Sequence, residues 1–575
     1  MGQRAVPGRD GTPVTARARV AVVGSGGYSR AMIANSGAPV RAVCAALVAA
    51  VVGASGAVPV QAQAQPPRAA RPTLVVVVTV DQLRGDYPTR FGPTLTGGLR
   101  RLLDGGAWAV HAVHDHANTE TAPGHAVTLS GRFPVHTGIA ANIEGVQDRG
   151  VTLIGAGEAG ASPWRFKGTT LVDWLRAADS RSRFLSVSRK DRGAILPVGR
   201  TRGDVYWYAS NGTFTQSTYY GRALPRWVRD FNATRRPMRY AGWVWEPLLD
   251  SAAYPAADSI PTESLQGLPF TFPYALPEDS AQAAAVLPGV PPMDALTLEF
   301  ALAGIRALAL GADSTRTDLV NIALSTTDAV GHRWGPDSRE LHDQVVRLDR
   351  SLGAFLDTLF TLRDSSRIVI ALTSDHGITP LPGSNSPSTP NPAARYVDAR
   401  AVRATHVARM QAAGIDTMVV DYVDGLLLIG DTSSFVKRGL PVDSVVRAFA
   451  ADLRRVDGVH RADLLDDLAQ ADTVQDMIAR RWLHTFAPGG AVRLVTTLDR
   501  FNYWHWVTNV AHGSPWEQDA WVPLVLWGAP FRRVRHEPTV RVVDLAPTLA
   551  AVLGIAPTEP VDGVVLRALL APPPH

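Results

Sequence analysis

The chain of 575 residues exceeds what one hydrophobic core usually serves, so one large domain with insertions, or two domains, is expected. Hydrophobic residues make up 46% and charged residues 19%, a globular composition that excludes general disorder. The formal charge of +5 does not mark a nucleic-acid binder: Arg4, Arg9, Arg17, Arg19, Arg30, Arg41 and Arg68 against Asp10 alone give residues 1–70 a net +6, leaving about −1 for the rest.

Residues 1–70 read as an N-terminal extension and signal peptide. Arg41 precedes the apolar run Ala42 to Val60, and small residues follow through Pro66, the order of a secretory signal with its cleavage site. Met32 is the expected start. The run is short, Gly-interrupted and Ala-rich, which favours removal over a membrane anchor. Cys44, the only cysteine, lies inside it, so the exported chain carries no disulfide. The expectation is a periplasmic or secreted monomer with no stable membrane insertion.

The first element downstream is Thr73 to Val80, a β-branched run ending at Asp81, as in a strand buried on both faces of a parallel sheet. Similar strands are predicted at Phe184–Arg189, Asp318–Ser325, Arg367–Ser374 and Val522–Trp527. Ser338–Leu362 places Leu341, Val345, Leu348, Leu352, Phe355 and Leu359 at helical spacing. Strands alternating with helices predict an α/β fold with a mostly parallel central sheet flanked by helices. Two stretches break the alternation and read as insertions in a domain spanning 71–575. One is 200–292, rich in Tyr, Trp, Pro, Ser and Gly. The other is 391–488, with a hairpin from Met418–Val423 and Leu426–Gly430 and a helix over Pro441–Arg455. Val540 to Gly554 reads as a strand or turn leading into a short amphipathic helix.

Chemistry in such sheets collects at the carboxyl ends of strands. Asp81, Asp328, His332, Asp375 and His376 all sit at or just after predicted strand ends, and His512 precedes the last strand. Singly, each such Asp is more often a helix cap and each His a structural residue. Together, three carboxylates and three imidazoles without a thiolate suit two zinc ions, and ions compensate charges that are costly to bury unpaired. Thr121, in Glu120-Thr-Ala-Pro-Gly-His-Ala126, is the candidate nucleophile. It precedes a Pro123-Gly124 turn and a helical start, where a helix dipole favours an anion. A threonine hydroxyl needs metal coordination to become an effective nucleophile.

The segments Val80-Asp-Gln-Leu-Arg84, Thr121-Ala-Pro-Gly-His-Ala126, Ser325-Thr-Thr-Asp-Ala-Val-Gly-His332, Thr373-Ser-Asp-His-Gly377 and Ala511-His-Gly-Ser514 occur in the order of the alkaline phosphatase superfamily. The chain resembles its PafA-type alkaline phosphatases most, with the nucleotide pyrophosphatase/phosphodiesterases further off. The resemblance spans about Leu74 to Leu566 and implies two zinc sites. Asp328, His332 and His512 match the ligands of one; Asp81, Asp375, His376 and the Thr121 hydroxyl match the other. In Ser188 to Pro197, Lys190 and Arg192 match the pair that contacts phosphoryl oxygens in that type. Period-two spacing on an extended segment would point both the same way. Lys167, Lys190 and Lys437 are the only lysines in an arginine-rich chain, so a lysine here is not routine surface filler. Asn142 matches the family's phosphoryl-binding asparagine. The chain departs from the family pattern at Ala511 and over Pro515-Trp-Glu-Gln-Asp519, without replacing a ligand.

The expected activity is hydrolysis of small-molecule phosphate monoesters through a phosphothreonine on Thr121. Two cationic side chains favour a terminal phosphate dianion over a diester. The alternatives are a phosphodiesterase or nucleotide pyrophosphatase on the same site, a sulfatase-like hydrolase, or a non-catalytic binding protein. Thr121 and His125 stand where a sulfatase carries a Cys or Ser and an Arg.

Overall fold

β-Branched and aliphatic runs bounded by polar turns build a ten-stranded sheet at the centre of the molecule. The computed structural model describes residues 71–572 apart from 158, 260–270 and 385–391. The signal-peptide reading of residues 1–70, with Met32 and Cys44, lies outside the described residues. Seven strands carry the sheet: β1 (Leu74–Val80), β2 (Ala107–Val113), β3 (Phe184–Ser188), β4 (Asp204–Tyr208), β5 (Asp318–Leu324), β6 (Ile368–Thr373) and β7 (Trp521–Trp527). Their order is β2-β7-β6-β1-β5-β3-β4, with Val534–His536 and Val540–Arg541 beyond β2 and Phe214–Thr215 beyond β4.

The five strands from β6 to β4 are mutually parallel. β7 differs from expectation: it pairs antiparallel with both β6 and β2. The fold class is therefore α/β with a mixed, mostly parallel sheet. The 200–292 stretch is also not wholly peripheral, because β4 lies parallel beside β3 within the central sheet. Its Tyr-Trp-Tyr alternation reads as loop chemistry, yet those rings are buried against both layers of helices.

β1 is fully buried. Val76 and Val78 point into one core, with Leu324, Leu352 and Phe355; Val75 and Val77 point into the other, with Ala126, Leu196 and Leu549. Four helices bear on the site: α1 (Thr121–Ser130), α2 (Asp191–Ile195), α3 (Thr326–Trp334) and α4 (Arg339–Leu362). Ser338 caps α4 by accepting the Leu341 N–H, and the predicted apolar stripe of α4 is buried throughout.

A second, four-stranded antiparallel sheet runs Val420–Val423, Leu426–Ile429, Val492–Leu498, Val459–Leu464. The predicted hairpin is its first pair, turned by Asp424 and Gly425 with φ of 49° and 80°. This sheet has its own core, including Phe435, Phe449, Leu453 and Leu494, and takes in a strand beyond residue 488. At the C-terminus a two-residue strand, Val540–Arg541, precedes the helix Leu545–Leu553.

Candidate metal centre

The parallel strands deliver their following residues to one edge of the sheet. Asp81 directly follows β1, Asp375 and His376 follow β6, and Asp328 and His332 lie in α3 just after β5. β7 runs the other way, so its beginning lies at that same edge, and His512 in the loop before it arrives there too. β2, antiparallel to β7, ends at this edge and leads through residues 114–120 to Thr121.

The six predicted ligands form two groups. Asp328, His332 and His512 offer ligand atoms within 4.8 Å of one another, and so do Asp81, Asp375 and His376. The groups abut: the rings of His376 and His512 stack at 3.6 Å, and the Lys190 ammonium lies 2.7 Å from Asp81 Oδ2 and 2.6 Å from Asp328 Oδ2. Thr121 Oγ1 stands 3.4 Å from His376 Nε2 and 3.5 Å from Lys190 Nζ.

All three imidazoles are oriented alike. Nδ1 of His332 meets the Val510 carbonyl at 2.5 Å, that of His512 the Thr119 carbonyl at 2.8 Å, and that of His376 the Gly377 carbonyl at 2.9 Å. A carbonyl only accepts, so each Nδ1 carries a proton and each Nε2 is left facing the carboxylates. Burial keeps His376 neutral, lowering its pKa to about 4, and lowers that of His512 well below the usual value. For His332 burial acts in the same sense, but Asp328 outweighs it and the pKa is raised.

The carboxylates are buried and under-compensated. Burial pushes Asp328 up, yet Lys190 and His332 prevail and hold it well below the carboxylate range. Burial and Asp328 push Asp81 up, but the Lys190 ammonium prevails and holds it lowered. For Asp375 burial and the charge of Asp81 win, and its pKa is raised well above normal. Oδ1 of Asp81 and Oδ2 of Asp375 lack hydrogen-bond donors among the described residues, and Asp81 Oδ2 meets the Lys190 ammonium. Three buried carboxylates around one ammonium call for further positive charge. With imidazole Nε2 atoms facing them, the residues present fit divalent cations that accept oxygen and nitrogen.

Thr121 is the first residue of α1, and the turn expected at Pro123-Gly124 is absent. Pro123 sits in the first helical turn, where a missing N–H costs nothing. A Cβ on Gly124 would lie 2.1 Å from the Asp375 carbonyl oxygen, so only glycine lets α1 approach the β6 terminus this closely. Asn142 is fixed on both sides: its N–H donates to Glu120 Oε2 at 2.5 Å, and its Oδ1 accepts from the Ala122 N–H at 2.9 Å.

Lys190 and Arg192 do not share an extended segment. Lys190 precedes α2 and Arg192 lies within it, because β3 ends at Ser188 and the chain turns helical to pack on α1. Lys190 enters the centre. Arg192 acts on it by charge, bearing on Glu120 and His125 at the two ends of the first turn of α1.

Three neighbours were not assigned to the centre from the sequence. Gln82 donates its N–H to Asp375 Oδ1 at 3.1 Å and its Nε2–H to Asp328 Oδ1 at 3.0 Å. His125, fully buried on α1, places Nε2 3.4 Å from Asp375 Oδ2, and burial lowers its pKa to about 3. Ser374 accepts from the Leu83 N–H and donates to the His376 carbonyl. The i,i+4 spacing from Thr121 to His125 was the only available signal among them.

Two facing Asp/His sets at the carboxyl edge of a mostly parallel sheet, with a helix-terminal threonine beside them, define an α/β protein built around a candidate dinuclear metal centre. The chain belongs to the Type I phosphodiesterase / nucleotide pyrophosphatase family, whose profile matches residues 75–420. It is 36% identical over 367 residues to "Alkaline phosphatase PhoV" of Synechococcus elongatus, covering 60% of this chain and 66% of that one. It is 35% identical over 331 residues to "Alkaline phosphatase PafA" of Elizabethkingia meningoseptica, covering 53% and 60% respectively. The chain thus spans slightly under two thirds of the length of these relatives. The crystal structure of wild-type alkaline phosphatase PafA superimposes with a TM-score of 0.79 at 26% identity, covering 88% of this chain and all of that one.

Proposed function

We propose that the protein is a phosphate monoester hydrolase in which Thr121 is the nucleophile and two zinc ions are the resident metals. Asp81, Asp375, His376 and Thr121 Oγ1 would hold one ion; Asp328, His332 and His512 the other. The ions would supply Lewis acidity for the attacking and leaving oxygens. The observation that carries the reading is the Lys190 ammonium, placed between Asp81 and Asp328 and within 3.5 Å of Thr121 Oγ1.

The chain's own residues supply positioning and charge, which phosphoryl transfer requires above all. Thr121 starts a ten-residue helix, so the positive end of the dipole lies at the attack position. Its hydroxyl attacks phosphorus in line, and a phosphothreonine forms as the alcohol leaves. Lys190 neutralises a phosphoryl oxygen beside Thr121. Asn142, with Oδ1 occupied by the Ala122 N–H, is left with its amide nitrogen as donor. Arg192 adds positive charge on the α2 side. Hydrolysis of the phosphothreonine then releases phosphate.

The family description supports a second reading, a phosphodiesterase on the same residues. Steady-state kinetics on p-nitrophenyl phosphate and bis-p-nitrophenyl phosphate separates the two. We expect higher kcat/KM on the monoester, loss of at least about a thousandfold in Thr121→Ala, and a Lys190→Ala defect larger on the monoester. Faster diester turnover would reverse the assignment, and an unimpaired Thr121→Ala would remove the nucleophile. The proposed location is periplasmic or secreted, resting on the apolar run after Arg41. Among the described residues no helix is long and apolar enough to cross a membrane.

A further inference from the structure

Beside His512 lies a cavity of about 230 Å³ whose remaining walls have no part in the metal centre. Glu120, at the head of α1, and Gln518 line it, as do Asp424, from the hairpin tip of the second sheet, Tyr503, Trp504 and Trp516. The described lining is aromatic and acidic and contains neither lysine nor arginine.

Three observations point to what it receives. Asp424 is held at the tip in a left-handed conformation, φ 49°, with Oδ1 accepting from Trp506 Nε1 at 3.1 Å. Asp424 and Glu120 line the same cavity although one comes from the second sheet's hairpin and the other from the head of α1, and burial with the charge of Asp424 raises the Glu120 pKa. Gln518 is 7% exposed, and neither its amide oxygen nor its amide nitrogen has a partner among the described residues. A buried amide in that condition is costly unless a ligand meets it. The other acids of the lining are already engaged: Asp519 accepts from Ser514 and Thr379, and Asp499 lies 3.2 Å from His460. Arg192 offsets part of the Glu120 charge, which leaves Asp424 as the residue to test.

We propose that this cavity receives the leaving alcohol of the substrate and selects alcohols bearing an ammonium group over those bearing an anion. The inference rests on the monoesterase reading above. An ammonium is attracted by the faces of Trp504 and Tyr503 and by the Asp424 carboxylate, and its N–H groups or a neighbouring hydroxyl satisfy Gln518. A carboxylate or second phosphate in the same place meets like charge and the negative faces of the rings. No covalent step beyond the hydrolysis is required.

The test uses the full-length, zinc-loaded protein with three monoesters: O-phosphoethanolamine, 2-phosphoglycolate and p-nitrophenyl phosphate as neutral reference. We expect kcat/KM to be at least about fivefold higher for phosphoethanolamine than for phosphoglycolate, the size of one cation–π or charge contact. In Asp424→Asn that ratio falls toward one. Asparagine tolerates the left-handed backbone and keeps the acceptor for Trp506, and circular dichroism checks the fold. A wild-type ratio of one or below, or a ratio that Asp424→Asn leaves unaltered, overturns the proposal. Either result leaves the monoesterase reading standing if p-nitrophenyl phosphate is turned over. Absence of turnover on that reference overturns both.

Discussion

Gln82 joins the two halves of the candidate centre, since one side chain and its own N–H reach Asp375 and Asp328 together. It does so from a left-handed backbone, φ 66°, a conformation that costs a non-glycine residue about 1 kcal/mol or more. Such strain persists where surrounding bonds over-determine it, and here those bonds orient two carboxylates. Gln82→Ala is therefore expected to weaken metal retention by about tenfold or more with the fold intact, read by competition with a chromogenic chelator. Retention equal to wild type would reduce Gln82 to a packing residue. The six acidic and imidazole residues of the candidate centre and Thr121 were legible in the sequence as candidates because their chemistry is distinctive and most of them stand beside strand ends. Gln82 was not, because its partners lie 246 and 293 residues away and glutamine has no signature of its own.

Among the elements, β7 decides most. Its pairing with β6 is antiparallel, which brings the loop ahead of it, with His512, to the edge where β1, β5 and β6 end. An apolar run reads the same in either direction, so sequence gave the strand without its sense. α2 shows the complementary limit: Lys190 and Arg192 were identifiable, but the turn from β3 into a helix separates their directions. α4 carries a pH-dependent contribution outside the candidate centre. Glu340, in its first turn, is buried with Oε1 accepting from the Tyr274 hydroxyl at 2.6 Å, and burial pushes its pKa from 4.5 up to about 7. The folded state keeps this proton over a range where the unfolded chain has lost it. The associated stability is thus fully present below about pH 4.5 and lost as pH rises through 7. Glu340→Gln keeps the acceptor and removes the ionisation. It should raise stability at pH 8 by up to about 3 kcal/mol and change little below pH 4, measured by denaturant unfolding at both values. Equal effects at the two pH values would exclude Glu340 as the titrating group.

For the whole molecule, the candidate centre gathers residues from position 81 to position 512, so ions bound there tie β1, β5, β6, α1 and the loop before β7 to one another. Ligands that bind only the folded state stabilise it by mass action, about 2.7 kcal/mol per site at a hundredfold excess over Kd. Chelation should lower the unfolding temperature in calorimetry, and added zinc should restore it in two saturable steps. Indifference to chelator and to zinc would show that the two groups hold no such ion. Within the sequence alone lay the buried strands, the alternation with helices, the second sheet's hairpin and the side chains of the candidate centre, because these depend on local periodicity and on residue chemistry. Only the tertiary structure decided the sense of β7, the place of β4 in the central sheet, the bond of Gln82 to both groups and the acidic cavity between Glu120 and Asp424. Each of these is a relation between segments far apart along the chain, fixed by which surfaces bury one another rather than by any pattern within one segment.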